Sequence, residues 1–211
     1  MPSTQFTSLG TVAAGQQGHT IKYLMPQILD LLGPITPQTR ILDVGCGNGC
    51  ITAQLAQTGA QVMGIDLDES YVELARATYP NIRFERLAAD EQLMTHLGEK
   101  PFDLVVSTEV IEHLYSPDAL MAGCYACVRP GGRIVISAPY HGYLKNLAIA
   151  LTGKYASHHD PLWEGGHIKF FSRESMTRLL QKYHLQNIRF RGAGRFPGLW
   201  MSMVMSGDRL A

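Results

Sequence analysis

The chain is poor in the features that would take it outside the ordinary cytoplasmic proteins. Its 211 residues include only four cysteines and two tryptophans. Four thiols in a chain this long make no disulfide framework, which is a device of small secreted domains. Cys124 and Cys127 form a lone C-x-x-C, "CYAC", with no second pair to complete a zinc site. They read as two small apolar side chains one helical turn apart. Long apolar runs are missing as well: the best stretch, "YLKNLAIALTG", is far below membrane-span length and carries Lys145. The first twenty residues lack the basic start and apolar segment of a secretory leader, so a cytoplasmic location is expected. Nor is there a surplus of one charge. Eighteen Lys and Arg balance eighteen Asp and Glu, which argues against a nucleic-acid partner held by phosphate neutralisation. A nucleotide-sized ligand remains compatible with that balance.

What the chain does have is a regular alternation of apolar periods. Helical spacing over 19–32, with Pro26 as a kink, precedes a buried strand at 40–45 and a helix at 51–59 ended by Gly59. Strands follow at 61–66, 82–87, 102–108 and 133–139, with helices at 69–79 and 117–128 and a short acidic-capped segment at 90–98 between them. Strand–helix alternation implies crossover connections and a parallel sheet covered on both faces. Residues 140–171 read as irregular and rich in His, Gly and aromatics. A helix capped by Ser172, with Glu174 in its first turn, leads to two β-like runs, 186–192 and 199–207. Their Gly/Pro junction suggests an antiparallel addition to one sheet edge. A single domain over 1–211 is expected, with 140–171 as an acceptor-side lid. The oligomeric state is open, since the apolar run "LWMSMVMSG" suits either a sheet strand or an interface.

The stretch "ILDVGCGNGC" sets Gly45, Gly47 and Gly49 at alternate positions between a strand and a helix. Glycine loses the most backbone entropy on folding, so this clustering asks for a ligand close to the main chain. A strand, glycine turn and helix start also point free N–H groups at a ligand. G-x-G-x-G alone is a weak signal, but Asp66 ends the next strand, where a carboxylate can accept from both hydroxyls of a ribose. Asp43 would lie beneath the turn and meet an ammonium or an ordered water.

"LDVGCGNG", "GIDLDESYVELA", "FDLVVSTEVIEHL" and "RPGGRIVISAP", in that order, resemble the class I S-adenosylmethionine-dependent methyltransferases. The resemblance implies an α/β, Rossmann-like sheet of seven strands, mostly parallel with an antiparallel last strand, and helices on both faces. It implies S-adenosyl-L-methionine as cofactor, with Asp43, Gly45, Cys46 and Gly47 along the methionine part. It further implies Asp66 on the ribose, Leu67 against the adenine, Asp90 near the adenine amino group, and Thr108 with Glu109 under the sulfonium. Lys22 and Tyr23 would close the carboxylate end.

Methyl transfer from a sulfonium needs an aligned acceptor and a place for its proton. Glu109, Glu112 and His113 stand at i, i+3 and i+4, so one helical turn would present all three on one face. Two carboxylates and an imidazole suit a divalent ion such as Mg²⁺, Mn²⁺, Fe²⁺ or Zn²⁺. The stretch "WEGGHIKFFSRE" resembles a metal-binding element of the small-RNA 2'-O-methyltransferases, which also carry E-V-x-E-H. It departs from theirs at Ile168 and Phe171, and by the resemblance His167 is a fourth ligand. The ubiquinone-pathway O-methyltransferases share E-V-x-E-H and act on a ring with adjacent oxygens. The expected activity is therefore O-methylation of a small hydroxylated, catechol- or diol-like molecule, with His113 as base. Tyr140, His141, Trp163 and Phe170 would wall the acceptor pocket, and His158 and His159 read as exposed. The alternatives are metal-free N- or C-methylation of a small molecule, or a catalytically silent cofactor-binding subunit, whose sign would be a damaged glycine loop or a missing Asp66.

Overall fold

In the computed structural model, residues 14–211 are described. The stretch read as lacking a leader lies mostly outside the described residues. The first helix, α1, spans Ala14–Leu32, beginning before the expected 19, and passes through Pro26 without stopping. Leu24, Ile28 and Leu31 are wholly buried at i, i+4 and i+7, the stripe that fixes this helix on the sheet. Gly33 takes φ +78° after its last turn and ends it.

Seven strands follow: β1 (Arg40–Val44), β2 (Gln61–Asp66), β3 (Arg83–Arg86), β4 (Phe102–Thr108), β5 (Val128–Pro139), β6 (Gln186–Ala193) and β7 (Ser202–Asp208). Their order across one sheet is β3-β2-β1-β4-β5-β7-β6. Neighbours from β3 to β5 pair in parallel, while β7 pairs antiparallel with both β5 and β6. The sheet reverses its winding between β1 and β4, and in such sheets the crevice beyond the strand C-termini at that point takes the ligand.

Helices α2 (Cys50–Ala56), α3 (Glu69–Thr78), α4 (Leu93–Leu97) and α5 (Pro117–Cys127) form the crossovers, and α8 (Arg173–Lys182) precedes β6. Two apolar clusters lie on opposite faces, one including Leu120, Ile136 and Met176, the other including Leu24, Ile28 and Val106. Cys124 and Cys127 are buried in the first of these, and burial pushes the Cys127 thiol up to about 12. They are core residues, as the lone C-x-x-C suggested. Ser172 caps α8 by accepting from Ser175 N–H.

Two further departures from expectation bear on the chain around the site. Strand β5 starts at Val128 rather than 133, because Val128 pairs with Phe102 across a register shift and the Pro-Gly-Gly stretch is carried inside the strand. Residues 140–171 are not wholly irregular: α6 (Tyr143–Leu151) and α7 (Tyr155–His158) lie within them. The "YLKNLAIALTG" stretch folds as α6, and among the described residues no helix is long and apolar enough to cross a membrane.

Arg133 ties α1 to the far side of the sheet. Its guanidinium donates to the Leu31 and Leu32 carbonyls at 2.9 and 3.0 Å and to Asp208 on β7. Charge-assisted bonds to the last carbonyls of a helix replace partners that the helix itself cannot provide. Arg133→Ala is expected to cost about 2 kcal/mol, lowering Tm by about 4–8 °C in a thermal melt.

Candidate active site

The glycine turn follows β1. Gly45, Gly47 and Gly49 all take left-handed φ, +76°, +52° and +79°. Gly45 N–H and Cys46 N–H donate to the Ile65 carbonyl at 2.8 and 2.9 Å, binding the turn to β2. A Cβ on Gly45 would stand 2.3 Å from Val110 Cγ2, and one on Gly49 2.8 Å from Phe84 Cζ. Both glycines are therefore required by the protein's own packing, which corrects the expectation that a ligand alone excludes side chains here. Gly47 differs: nothing lies within 4 Å of a Cβ built there. It is the one glycine of the three that opens on free space.

Asp66 ends β2 beside this turn. Its Oδ2 accepts from Gly47 N–H at 2.8 Å and its Oδ1 from Asp68 N–H at 2.9 Å. Burial raises its carboxyl above the ordinary range, and these backbone bonds work against the rise. Leu67, next along, is 57% exposed, an apolar shelf at the rim. Asp90 lies at the start of α4, its Oδ1 accepting from Gln92 N–H, with α5 close enough that Gly123 faces its carbonyl. Cys46 and Thr108 are buried at the ends of β1 and β4. Lys22 is exposed and Tyr23 half-buried on α1.

Asp43 is completely buried in β1. Thr52 of α2 donates its hydroxyl to Oδ2 at 2.7 Å, while Oδ1 has no partner among the described residues. Burial pushes this carboxyl up to about 7. An orphaned carboxylate oxygen under the glycine turn fits the ammonium of an amino-acid-like ligand.

The chain after β4 does not form the expected helical turn. Glu109 has φ +53°, and only Ile111–His113 closes into a single 3₁₀ turn. With that backbone the Glu109 carboxylate meets two serines of the sheet and stays outside the close group of Glu112, His113 and His167. Ser137 of β5 donates to Glu109 Oε1 at 2.7 Å and Ser202 of β7 to Oε2 at 3.1 Å, so both its oxygens are occupied. Burial pushes its carboxyl up to about 7.

Glu112 has the opposite situation. It is fully buried, and among the described residues neither carboxylate oxygen has a hydrogen-bond partner. Its main-chain carbonyl accepts from Ile168 N–H and Lys169 N–H at 2.9 and 3.0 Å. That double bond of the main chain docks the "HIKFF" stretch on the turn and carries His167 to the carboxylate. His113 Nε2 and His167 Nε2 each stand 3.9 Å from Glu112 Oε1. His113 Nδ1 lies 2.8 Å from the Gly165 carbonyl, which can only accept, so the proton sits on Nδ1 and the Nε2 lone pair is free. Burial lowers both imidazoles, His167 to about 4, keeping them neutral near pH 7. The same burial, with Glu109 nearby, raises Glu112 well above the carboxylate range.

Of the four expected ligands, Glu112, His113 and His167 come together, with candidate ligand atoms within 4.8 Å of one another. Glu109 belongs to a serine-lined cradle instead. Of the expected pocket walls, Trp163 lies beside His167, with ring centroids 5.2 Å apart. Tyr140 packs edge-on against Trp200 at 5.2 Å. His141 and Phe170 meet at 5.0 Å, and His158 and His159 gather around them. His159 is half-buried rather than exposed. Thr52 and Ser202 lie in no motif, and the fold alone brings them to the site; Val110 and Ser137 stand within quoted motifs, but nothing in the spacing gives them these contacts.

A family profile described as a methyltransferase domain matches residues 17–189. The ubiquinone biosynthesis O-methyltransferase of Aromatoleum aromaticum is 30% identical over 162 residues, covering 75% of this chain and 68% of that protein. The protein of the same name from Thiobacillus denitrificans is 28% identical, covering 82% and 75%. Among solved structures, a putative methyltransferase of Haloferax volcanii, in complex with the Trm112 activator, superposes with TM-score 0.71 at 14% identity, covering 93% of each chain. Phosphoethanolamine N-methyltransferase 2 of Haemonchus contortus, in complex with S-adenosyl-L-methionine, superposes with TM-score 0.64 at 17% identity, over 92% of this chain and 53% of that one. The sheet order, the glycine turn with its acid on β2 and these matches agree: the chain belongs to the S-adenosylmethionine-dependent methyltransferases of the methyltransferase-domain family.

Proposed function

We propose that this protein methylates a hydroxyl of a small molecule bearing adjacent oxygens, catechol- or diol-like, with a divalent cation held by Glu112, His113 and His167. One observation carries the reading. A buried carboxylate with no hydrogen-bond partner among the described residues faces two imidazole Nε2 atoms at equal distances of 3.9 Å. Without a cation such a group is costly, and one carboxylate with two imidazoles suits Mn²⁺, Fe²⁺ or Zn²⁺. The names of the curated relatives, O-methyltransferases of ubiquinone biosynthesis, support an oxygen acceptor.

The cofactor brings an already activated methyl group, so the chain's task is placement and proton management. Asp66 and Gly47 frame the ribose edge, Leu67 and Asp90 the adenine, and Asp43, Gly45, Cys46 and Thr108 the methionine end. Bound cation would act as a Lewis acid on the acceptor oxygens. His113, its Nδ1–H anchored on Gly165, holds Nε2 towards the acceptor side as ligand or base. Residues 140–171, with Trp163 and Phe170, form the lid. Four free thiols agree with a reducing, cytoplasmic setting.

Turnover of a catechol by chelator-stripped protein, with Mn²⁺ or Zn²⁺ restored in parallel, tests this. Loss on stripping and recovery on restoration are expected. Unchanged turnover would leave the metal-free reading, in which the neutral His113 takes the proton and nitrogen or carbon acceptors come into play. A silent subunit is disfavoured by the intact glycine turn and Asp66.

Asp43 gives a second test. Its folded carboxyl, at about 7, lies above the ordinary value of 3.8, so the folded chain binds the extra proton between those limits. Its contribution to stability is therefore present at acid pH and declines as pH rises towards 7, by at most about 1.4 kcal/mol per unit. A cofactor ammonium against Oδ1 favours the carboxylate and expels that proton. Cofactor affinity should rise up to about tenfold per pH unit below 7 and then level off. Titration calorimetry in buffers of different ionisation heat should show proton release at pH 6 that Asp43→Asn abolishes.

A further inference from the structure

Five of the eight histidines fall into two groups, and only one of those groups contains Glu112. The other is His141, His158 and His159, whose candidate ligand atoms also lie within 4.8 Å of one another. From it we infer a second metal site: three imidazoles at the lid that take a borderline transition ion of the Zn²⁺ class, with an outward position left for water or an acceptor oxygen.

Three features of the fold build it. His141 follows β5 and is buried, its main-chain N–H donating to the Phe171 carbonyl at 3.0 Å. Asn146 lies close to its ring. The short helix α7 then delivers two consecutive histidines at its C-terminal end, with ring centroids 5.9 and 5.6 Å from that of His141 and 4.9 Å from each other. His159 Nδ1 is buried with no hydrogen-bond partner among the described residues. Phe170 and Tyr155 pack on His159, with ring centroids at 4.7 and 4.6 Å, contacts that orient its imidazole.

An all-imidazole set with no carboxylate rejects Mg²⁺ and Ca²⁺, which want oxygen, and selects Zn²⁺, Co²⁺, Ni²⁺ or Cu²⁺. Three protein ligands plus an open position is the arrangement of a reactive rather than a purely structural zinc site. Lys145 of α6 is the opposing charge, its field reaching all three rings. Its ammonium donates to the Met201 carbonyl at 3.2 Å and is partly balanced by Glu109. A positive charge so placed weakens the hold on a cation. Arg195 adds its field at His158.

The test uses tag-free, chelator-stripped full-length protein. Zinc uptake is counted by elemental analysis, and Co²⁺ is titrated for the visible absorption of a low-coordinate imidazole site. The parent should bind one equivalent that survives Glu112→Gln and is lost in His158→Ala/His159→Ala. Lys145→Met should tighten that equivalent several-fold. His158→Ala alone, at an exposed position, serves if the double variant no longer binds S-adenosylhomocysteine. Equal metal content and equal Co²⁺ spectra in the parent and histidine variants would overturn the inference. So would a parent whose only bound ion disappears with Glu112→Gln. Either result leaves the Glu112 site standing, and loss of the Glu112 equivalent alone leaves the tri-histidine site standing.

Discussion

Glu112→Gln is expected to reduce turnover by about a hundredfold or more while leaving the metal-free protein at least as stable as its parent. The two effects share one cause. In the folded chain the carboxylate is buried and both of its oxygens lack partners, so the residue opposes folding unless a cation faces it. An amide removes the charge, and its N–H₂ can donate to an imidazole Nε2 that now stands 3.9 Å away. The ion, however, loses its one anionic ligand, and even outer partners of metal ligands are worth about 10–100-fold. His167→Ala should lose a comparable amount of turnover with little change in cofactor affinity. Glu109→Gln is the control that separates three ligands from four. Ser137 and Ser202 already satisfy Glu109, so its amide should leave metal content unchanged and turnover within about tenfold. Steady-state kinetics with metal content measured alongside decides this. Metal loss in Glu109→Gln equal to that in Glu112→Gln would restore the four-ligand arrangement.

That contrast shows where sequence reading succeeded and where it stopped. Strand and helix order was legible because apolar period is local: 61–66 and 102–108 carry their burial in consecutive side chains, and both strands have those bounds in the structure. Asp66 beside the glycine turn was legible for the same reason, since a strand end and a turn are defined by neighbours in sequence. His167 near Glu112 was reached by resemblance, and the physical cause is the pair of main-chain bonds from 168 and 169 to the Glu112 carbonyl. Spacing could not reveal that Glu109 leaves the group. Its positive φ and its two serine partners come from β5 and β7, 28 and 93 residues away. The helical i, i+3, i+4 rule presumed a helix that the 3₁₀ turn does not supply. His158 is exposed, as its local sequence implies, but nothing local says that α7 folds back so that His159 is half-buried against His141.

The glycine turn carries the largest separation of stability from binding. Gly45→Ala drives a Cβ to 2.3 Å from Val110 Cγ2 at φ +76°, and Gly49→Ala meets Phe84 at 2.8 Å at φ +79°. Overpacking of about 1–3 kcal/mol adds to about 1–2 kcal/mol of left-handed strain at each position. Both variants should melt roughly 5–15 °C lower, and Val110→Ala should recover part of the loss at Gly45 and none at Gly49. Gly47→Ala meets no atom within 4 Å, so only the strain of φ +52° remains, about 1–2 kcal/mol and a few degrees. Yet its methyl enters the free space beside Asp66, where the main chain would lie against the cofactor. Affinity for S-adenosylmethionine by calorimetry should fall by at least tenfold in this mildly destabilised variant. The comparison discriminates between two reasons for a glycine. Positions 45 and 49 are small because the protein fills the space itself, and position 47 because the protein leaves it open. Undiminished cofactor binding by Gly47→Ala would remove the turn from the cofactor surface, and with it the placement of Asp43, Cys46 and Thr108 along the methionine end.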